Sequence, residues 1–208
     1  MNDKKHSSAY IDFKKQLSAT GSERLDGYYP ELLDHINENE REEIEKDIWT
    51  HFVNKDDAEL SVFMPFLREY DGIGALTKKL PAFKVPSSGS AEIAFVLFDV
   101  TEDKRYLDVI MDNYRGLSLN TPIAVKLARF AKKPNVYQLL KDIYIHDENE
   151  TNRLQAILGI LWRDGRIDRI DDTDEFSRKL DLIRAFDLDS AEAREKLILT
   201  DAQPSTPE

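Results

Sequence analysis

The chain has 208 residues, 41% hydrophobic and 33% charged, so it is long enough for one domain with its own core and too apolar for a disordered segment. It contains no cysteine, which excludes disulfides, thiolate metal sites and a cysteine nucleophile. Its formal net charge of −11 repels phosphate groups and favours basic partners, so we expect no direct binding of nucleic acid.

The amino-terminal segment, MNDKKHSSAYIDFKKQ, lacks the apolar stretch of a secretory signal peptide. The longest apolar run, Ile93–Phe98, is far shorter than the roughly 20 residues that a membrane-spanning helix needs. The sequence therefore predicts a cytoplasmic protein with no membrane association.

Residues 39–53 form the first strongly patterned helix of the prediction. Asn39 is its candidate N-cap, and the acidic residues after it favour the positive end of a helix dipole. One apolar face is predicted from the spacing of Ile44, Ile48, Trp49 and Phe52.

A further helix is predicted over residues 57–69, where Pro65 lies inside the apolar stripe and is expected to kink the helix or to move its start. That stripe consists of Leu60, Phe63, Met64 and Leu67. Residues 71–74 then predict a turn, and Ala75–Leu80 predict a short helix. Two prolines, three serines and a glycine make residues 81–90 an exposed loop, which we place inside one domain.

A repeat with a period of 30 residues begins after this loop. Ile93, Ala94, Leu97, Val100, Val109, Ile110 and Tyr114 align with Ile123, Ala124, Leu127, Phe130, Leu139, Leu140 and Tyr144. A third unit begins at residue 150, and a fainter one precedes the others. The predicted units are residues 57–80, 90–114, 120–144 and 150–186.

Each unit is predicted to be a helical hairpin, with turns at Thr101–Asp103 and Lys132–Asn135. Pro122 lies at an early helical position, where its missing donor costs nothing. One hairpin cannot close a core, but stacked hairpins bury a continuous one. Ala91–Val100 taken alone fits a buried strand as well as a helix. The aligned residues 121–131, which are rich in alanine, favour the helix.

The last part of the chain is acidic, and its residues 168–175 predict a loop or a helix N-terminus. Phe176, Leu180, Ile183 and Phe186 form a helical stripe after it. Ser190–Leu199 is predicted as the final helix with Ser190 as its N-cap. We therefore expect one α-helical repeat domain over residues 1–200 and a disordered tail over residues 201–208.

No pattern of catalytic or metal-binding residues emerges from the sequence. The four histidines do not lie at ligand spacing from one another, and the HExxH, EF-hand, nucleotide-binding glycine and G-x-S-x-G motifs do not occur. We therefore expect a protein that is not an enzyme, with no cofactor and no metal site.

Tyrosines and carboxylates on the second helices of the hairpins form the candidate interface. In a stack of hairpins these helices line the concave side, where Tyr106, Tyr137 and Tyr144 could anchor a partner or pack half-buried. Other aromatic residues, Phe66 and Trp162 among them, are expected in the core. The predicted partner-binding residues are Asp103, Tyr106, Asp108, Asp112, Tyr137, Lys141, Asp142, Asp147, Glu148, Glu150, Asp168, Asp171, Asp172 and Asp174. An ordinary solvated acidic face is the alternative.

The hairpin units over residues 57–186 resemble HEAT-like repeat proteins. This resemblance implies a right-handed, α-solenoid-like stack of helical hairpins, here with extra N-terminal helices. The chain departs from strong HEAT patterns because no aspartate–arginine pair links successive hairpins.

Residues 31–80 resemble the N-terminal part of bacterial immunity proteins, which neutralise toxins in systems such as contact-dependent growth inhibition. The resemblance implies a one-to-one complex with a basic toxin domain, often a nuclease, whose active site an acidic inhibitor would occlude. A helical-repeat scaffold or adaptor for an endogenous protein is the alternative. A helical-repeat DNA glycosylase is a third hypothesis, which the negative charge disfavours.

Overall fold

The computed structural model describes residues 6–19, 28, 30–55 and 57–201, which form helices and turns with no strand among them. This confirms the prediction of an all-α protein. The chain divides into two compact units, Met1–Gly116 (unit 1) and Leu117–Glu208 (unit 2). The α-helices are α1 (Ser8–Ser18), α2 (Glu38–Lys55), α3 (Gly72–Lys79), α4 (Ser88–Thr101), α5 (Lys104–Gly116), α6 (Thr121–Arg129), α7 (Val136–His146), α8 (Glu150–Arg163), α9 (Thr173–Arg178), α10 (Leu180–Arg184) and α11 (Ala191–Asp201). The 3-10 helices are Pro30–His35, Ala58–Phe66 and Leu80–Ala82.

Unit 1 is built around the apolar faces of α2 and α4. Ile44, Ile48 and Phe52 of α2 are completely buried, as the spacing of that face predicted. Helix α4 packs against both α5 and the 3-10 helix Ala58–Phe66. Its buried Ile93 belongs to the same apolar cluster as these α2 residues.

Unit 2 is centred on α8, which packs against both α6 and α7. On α7, Tyr144 is completely buried, and its hydroxyl donates a hydrogen bond of 2.7 Å to the Phe186 carbonyl. Burial raises the pKa of this phenol to about 12. Helix α11 packs on α7 through the buried Arg194, whose Nε and Nη2 both donate to the Ile145 carbonyl, at 3.0 and 2.7 Å. Its Nη1 donates to the Leu188 carbonyl at 2.7 Å.

A buried ion pair joins three segments of unit 1. Arg41 Nε donates to Glu45 Oε1 at 2.7 Å, one helical turn along α2. Its Nη1 and Nη2 donate to the carbonyls of Leu33 and Phe66, at 2.6 and 2.9 Å. The second oxygen of Glu45 accepts from the Arg68 backbone amide at 2.9 Å. The pair therefore fixes the ends of two 3-10 helices against α2.

Glu40, on α2, holds the start of α1 against α2 through hydrogen bonds from Ser7. Its Oε2 accepts from the Ser7 hydroxyl at 2.7 Å, and its Oε1 accepts from the Ser7 backbone amide at 3.0 Å. His6 Nδ1 lies 3.0 Å from Oε1, and the Asn37 amide donates to Oε2 at 3.3 Å. The hydrogen bond from the Ser7 hydroxyl is the largest cause that lowers the Glu40 pKa to about 2, and together with the other hydrogen bonds it outweighs burial, which raises this pKa.

We expect the attachment of α1 to be lost in acid. Because the Glu40 pKa is about 2 in the folded chain and 4.5 for an unperturbed glutamate, the stabilisation is complete above pH 4.5 and disappears as the pH falls towards 2. NMR signals of Phe13, buried on α1, should report this loss. The substitution Glu40→Gln should release α1 at neutral pH, whereas Glu42→Gln, at an exposed position, should not. Release of α1 in the unaltered protein between pH 7 and pH 5 would contradict this assignment.

Gly72, the first residue of α3, lies directly against the 3-10 helix Ala58–Phe66. A Cβ atom at this position would lie 1.9 Å from the Met64 carbonyl oxygen and 2.6 Å from its carbon. No rotation of a side chain can relieve contacts with backbone atoms. The two segments can therefore approach this closely only with glycine at position 72.

The observed helix boundaries differ from several predicted ones because hydrogen bonds decide where a helix begins. Helix α2 begins at Glu38, since the carbonyl of Asn37 accepts from the backbone amides of Glu40 and Arg41, at 2.8 and 3.1 Å. Asn39 is therefore inside the helix, and its prediction as the N-cap was wrong.

Helix α3 absorbs most of the turn that was predicted at residues 71–74. Asp71 caps it by accepting from the Gly74 backbone amide at 2.9 Å. Ser87 caps α4 by accepting from the Ser90 amide at 3.1 Å, so α4 begins inside the predicted loop of residues 81–90. Ser190 accepts from Ala193 N at 3.1 Å, which confirms its predicted capping of the final helix.

The segment predicted as a helix over residues 57–69 is a 3-10 helix that ends at Phe66, directly after Pro65. Its predicted apolar stripe is nevertheless buried as expected, at Leu60, Phe63, Met64 and Leu67. Phe66 lies outside that stripe and is 55% exposed, so its predicted place in the core was wrong. Val100, in the last turn of α4, is 50% exposed although it was aligned with Phe130 among the matching positions of the repeat.

Two of the four predicted repeat units are pairs of α-helices, whereas the unit at residues 57–80 contains a 3-10 helix and α3, and the unit at residues 150–186 contains α8, α9 and α10. Helices α4 and α5 cover the unit at residues 90–114, and α6 and α7 cover the unit at residues 120–144. The right-handed stacking of a solenoid and the single domain over residues 1–200 stay predictions. The tail predicted over residues 201–208 lies, apart from the backbone of residue 201, outside the described residues.

Candidate protein-binding surface

The predicted residues of unit 1 lie on α5, which has two distinct sides. Leu107, Ile110 and Met111 are buried against the unit. Asp108 and Asp112, four residues apart, are exposed on one face of the same helix. Neither carboxylate forms an ion pair with any residue that the structure describes. Both charges are therefore available to an external partner.

The charged residues at the start of α5 pair with each other. Both carboxylate oxygens of Asp103 accept from Arg105, with the shortest contact, 2.6 Å, from Nη2 to Oδ2. This side-chain hydrogen bond lowers the pKa of Asp103, and it holds the guanidinium charge of Arg105 beside the carboxylate. Tyr106 is half-buried and packs against the core, with the Arg105 guanidinium 6.0 Å from its ring centroid. Asp103 is thus a weaker candidate for recognition than Asp108.

The ring of Tyr137 in unit 2 is in contact with two cations. The Arg163 guanidinium carbon is 3.7 Å from the Tyr137 ring centroid, and Lys141 Nζ is 4.5 Å from it. The Tyr137 hydroxyl lies 3.4 Å from Asp164 Oδ2, and burial, with the nearby Asp164 charge, raises the pKa of this phenol. The structure therefore joins the predicted Tyr137 and Lys141 with Arg163, which the sequence interpretation did not single out.

A second aromatic–cation contact in unit 2 involves Trp162, which was predicted to be in the core. It is only partly buried, and Lys132 Nζ lies 4.1 Å from its ring centroid. Trp162 also lines a recess of about 390 Å³ together with Asp168 and Asp171. Because Trp, Tyr and Arg dominate the binding energy of protein interfaces, Trp162 belongs with the candidates.

The acidic residues in and near the turn between α7 and α8 have two roles. Asp147 Oδ1 accepts from the Asn149 backbone amide at 2.7 Å, which shapes the turn. Asp142 lies 3.2 Å from His146 Nδ1 on α7. Glu148 and Glu150 are exposed, and neither pairs with a cation in the described ranges.

The acidic loop before α9 shows the same division. Asp172 caps α9 by accepting from the backbone amides of Asp174 and Glu175, at 2.9 and 3.1 Å. The hydrogen bond from the Glu175 amide lowers the pKa of Asp172. Buried Glu175 holds the loop by accepting from the Asp168 and Arg169 amides. Asp168, Asp171 and Asp174 are exposed and make no ion pair with another described residue.

The predicted residues therefore fall into two groups. The first group is engaged in contacts within its own unit and consists of Asp103, Tyr106, Tyr137, Lys141, Asp142, Asp147 and Asp172. Asp108, Asp112, Glu148, Glu150, Asp168, Asp171 and Asp174 present unneutralised carboxylates to solvent. Tyr144, an interface candidate from the sequence, is completely buried, so that expectation was wrong.

Within the described part of the chain, no group of three or more His, Asp or Glu side chains is placed to hold a metal ion. None of the helices described here has both the length and the apolar character that would let it cross a bilayer.

No family model, no curated protein and no solved structure matches this chain. The likenesses to HEAT-like repeats and to immunity proteins therefore stay predictions. Of what these likenesses imply, the fold supports the all-helical character.

Proposed function

We propose that this chain is an immunity protein, which binds a basic toxin domain, such as a nuclease, and occludes its active site. The observation that carries the proposal is the set of exposed carboxylates without a cationic partner, of which Asp108 and Asp112 on α5 are the clearest. Such groups attract lysine and arginine side chains.

The proposed occlusion is supported by charge complementarity. A nuclease must present cations where the phosphates of its substrate bind, and an inhibitor with unpaired carboxylates competes for those cations. Long-range attraction speeds the encounter, whereas buried aromatic contacts slow dissociation. The half-buried Tyr106 and Trp162 supply candidate contacts of the second kind. The proposed activity is stoichiometric binding without catalysis, and the proposed location is the cytoplasm.

Reversing the charges on α5 should slow association with the toxin domain. We expect the double substitution Asp108→Lys and Asp112→Lys to lower the association rate constant about tenfold at low salt, with a smaller effect at high salt. The control reverses Asp12 and Asp34, which are exposed and form no ion pair with a described residue. It changes the net charge equally. Surface plasmon resonance measures the rate constants, and equal slowing by both double variants would show that only net charge matters.

A pull-down from the source cell, washed at moderate salt and identified by mass spectrometry, would supply the partner. A single stoichiometric partner that is a basic toxin domain would support the proposal. Recovery of an endogenous protein that is not a toxin would favour the alternative, a helical-repeat adaptor that uses the same carboxylates. Co-expression provides the functional criterion, since an immunity protein must restore growth to cells that make the toxin domain.

A further inference from the structure

An open groove of about 910 Å³ lies between α2 and α3 in unit 1. Its volume falls in the range of roughly 300–1,000 Å³ that is typical of sites for small molecules. The lining is mainly apolar and includes Trp49, Phe52, Val53 and Ile73. None of the residues of the proposed protein-binding surface lines the groove, so a ligand bound there would be independent of the immunity proposal.

The apolar wall of the groove is rigid and partly open to water. Trp49 stacks on Tyr70, with ring centroids 4.8 Å apart and planes inclined by 19°, so its indole ring is held in place. Phe52 beneath it is completely buried, whereas Val53 is 41% exposed. Water in contact with this wall would be released by an apolar ligand, which favours binding.

The polar groups of the groove are mostly engaged with one another. Thr77 donates its hydroxyl to the Ile73 carbonyl at 2.9 Å, and Asp71 accepts from the Gly74 amide at 2.9 Å. Lys79 donates to the carbonyls of Phe52 and Val53 at the end of α2. None of these contacts calls for an external ligand.

Two hydrogen-bond donors of the lining have no partner among the described residues. They are the exposed ammonium group of Lys78 and the indole N–H of Trp49. With Lys79 and Asp71, the lining carries more positive than negative charge in a chain whose net charge is −11. The groove therefore combines apolar walls with donors and an exposed cation, and it complements an apolar molecule with an anionic end.

Helix α3 supplies both an apolar side chain and the exposed cation of the groove. Ile73 lies in its first turn and Lys78 in its last, which separates them by about 7.5 Å along the helix axis. We propose that the groove binds a small amphipathic carboxylate, whose alkyl chain lies against Trp49, Val53 and Ile73 and whose carboxylate pairs with Lys78. An ammonium head group would meet Lys78 with like charge, and an alcohol would gain no ion pair.

Decanoate is a suitable probe, and the fluorescence of Trp49 is the direct readout. The sequence holds two tryptophans, Trp49 and Trp162, so the experiment uses the full chain carrying Trp162→Phe. Addition of decanoate below its micelle concentration should change the Trp49 emission in a saturable way with one site per chain. Decanol should bind more weakly, and decyltrimethylammonium more weakly still. Absence of saturable binding, or equal binding of the three probes, would overturn the proposal.

Charge reversal at the rim tests the position of the carboxylate. Lys78→Glu should weaken decanoate binding about tenfold, because it replaces an attractive pair with a repulsive one. The matched control is Lys84→Glu, which makes the same charge change at an exposed position that does not line the groove. Both positions are exposed, and unchanged thermal unfolding would confirm that each variant folds. The assignment would be overturned if the two variants bound decanoate with equal affinity. It would also be overturned if the groove bound an acidic amphipathic peptide but not decanoate.

Discussion

Substitution of Arg41 by methionine should lower the free energy of unfolding of unit 1 by about 3–5 kcal/mol. Methionine preserves most of the apolar volume of the arginine stem but removes its charge and its donors. The carboxylate of Glu45, only 1% exposed, would then stay buried without its counter-ion. The carbonyls of Leu33 and Phe66 would lose hydrogen bonds of 2.6 and 2.9 Å. Urea denaturation followed by circular dichroism measures the change.

The matched control is Arg68→Met, since Arg68 also pairs with a glutamate of α2. Its Nη1 lies 2.6 Å from Glu38 Oε1, but the two side chains are 56% and 81% exposed. Water already solvates such a pair, so its loss should cost less than about 1 kcal/mol. Comparable destabilisation by the two substitutions would mean that burial does not determine the contribution of the Arg41–Glu45 pair.

The substitution Gly72→Ala should destabilise unit 1 by about 3 kcal/mol although it adds a single methyl group. That methyl group would collide with the backbone carbonyl of Met64, so α3 must move away from the 3-10 helix Ala58–Phe66. The displacement would loosen the buried Leu76 of α3. Thermal unfolding and the NMR signals of Leu76 would report the two effects separately.

Gly74→Ala provides the comparison within the same helix. A Cβ atom at this position meets the carboxylate of Asp71, which can rotate away. The lost N-cap costs about 1 kcal/mol, and the better helix propensity of alanine returns about 1 kcal/mol, so the net change should be near zero. Equal destabilisation by the two alanines would indicate that α3 tolerates no added methyl group, and the contact with Met64 would lose its special role.

The sequence predicted the elements whose apolar residues recur at helical spacing. The 30-residue period located α4 to α7, and the faces of Ile93 and Ile123 are buried as expected. It did not reveal that residues 58–66 are wound as a 3-10 helix, because the apolar stripe of that segment also fits the spacing of an α-helix. Phe66, at the last position of this 3-10 helix, projects into solvent, which its apolar character did not predict.

The long-range contacts of polar side chains could not be predicted from the spacing of residues along the sequence. Arg41 bonds to carbonyls 8 and 25 residues away, and Glu40 bonds to Ser7, 33 residues away. Backbone carbonyls leave no trace in a sequence, so only an inward-facing charge on an apolar stripe could have hinted at these bonds. Arg41 precedes Glu45 and Ile48 at the spacing of the buried face of α2, which is such a signal.

Within the candidate surface, the sequence identified the acidic segments but not the role of each carboxylate. The capping role of Asp172 was readable from the Asp-x-x-Glu pattern that it forms with Glu175, since that pattern precedes helices. The contact of Lys132 with Trp162 was not, because the two residues are 30 positions apart and belong to different segments of unit 2. The exposed carboxylates of α5 followed directly from amphipathicity, as Asp108 and Asp112 oppose its buried face.

The guanidinium of Arg194 has a consequence for how the chain folds as it is made. It bonds to the Ile145 carbonyl, 49 residues earlier, and it is the group that satisfies the end of α7 from α11. Once residue 116 has emerged from the ribosome, all of unit 1 is available for folding. The hydrogen bonds of Arg41 and Glu40 can form at that stage. The bonds from Arg194 to the Ile145 carbonyl can form only after residue 194 has emerged as well. A pause in translation just before residue 194 would therefore leave α7 without its contact to α11, whereas the contacts within unit 1 can already have formed.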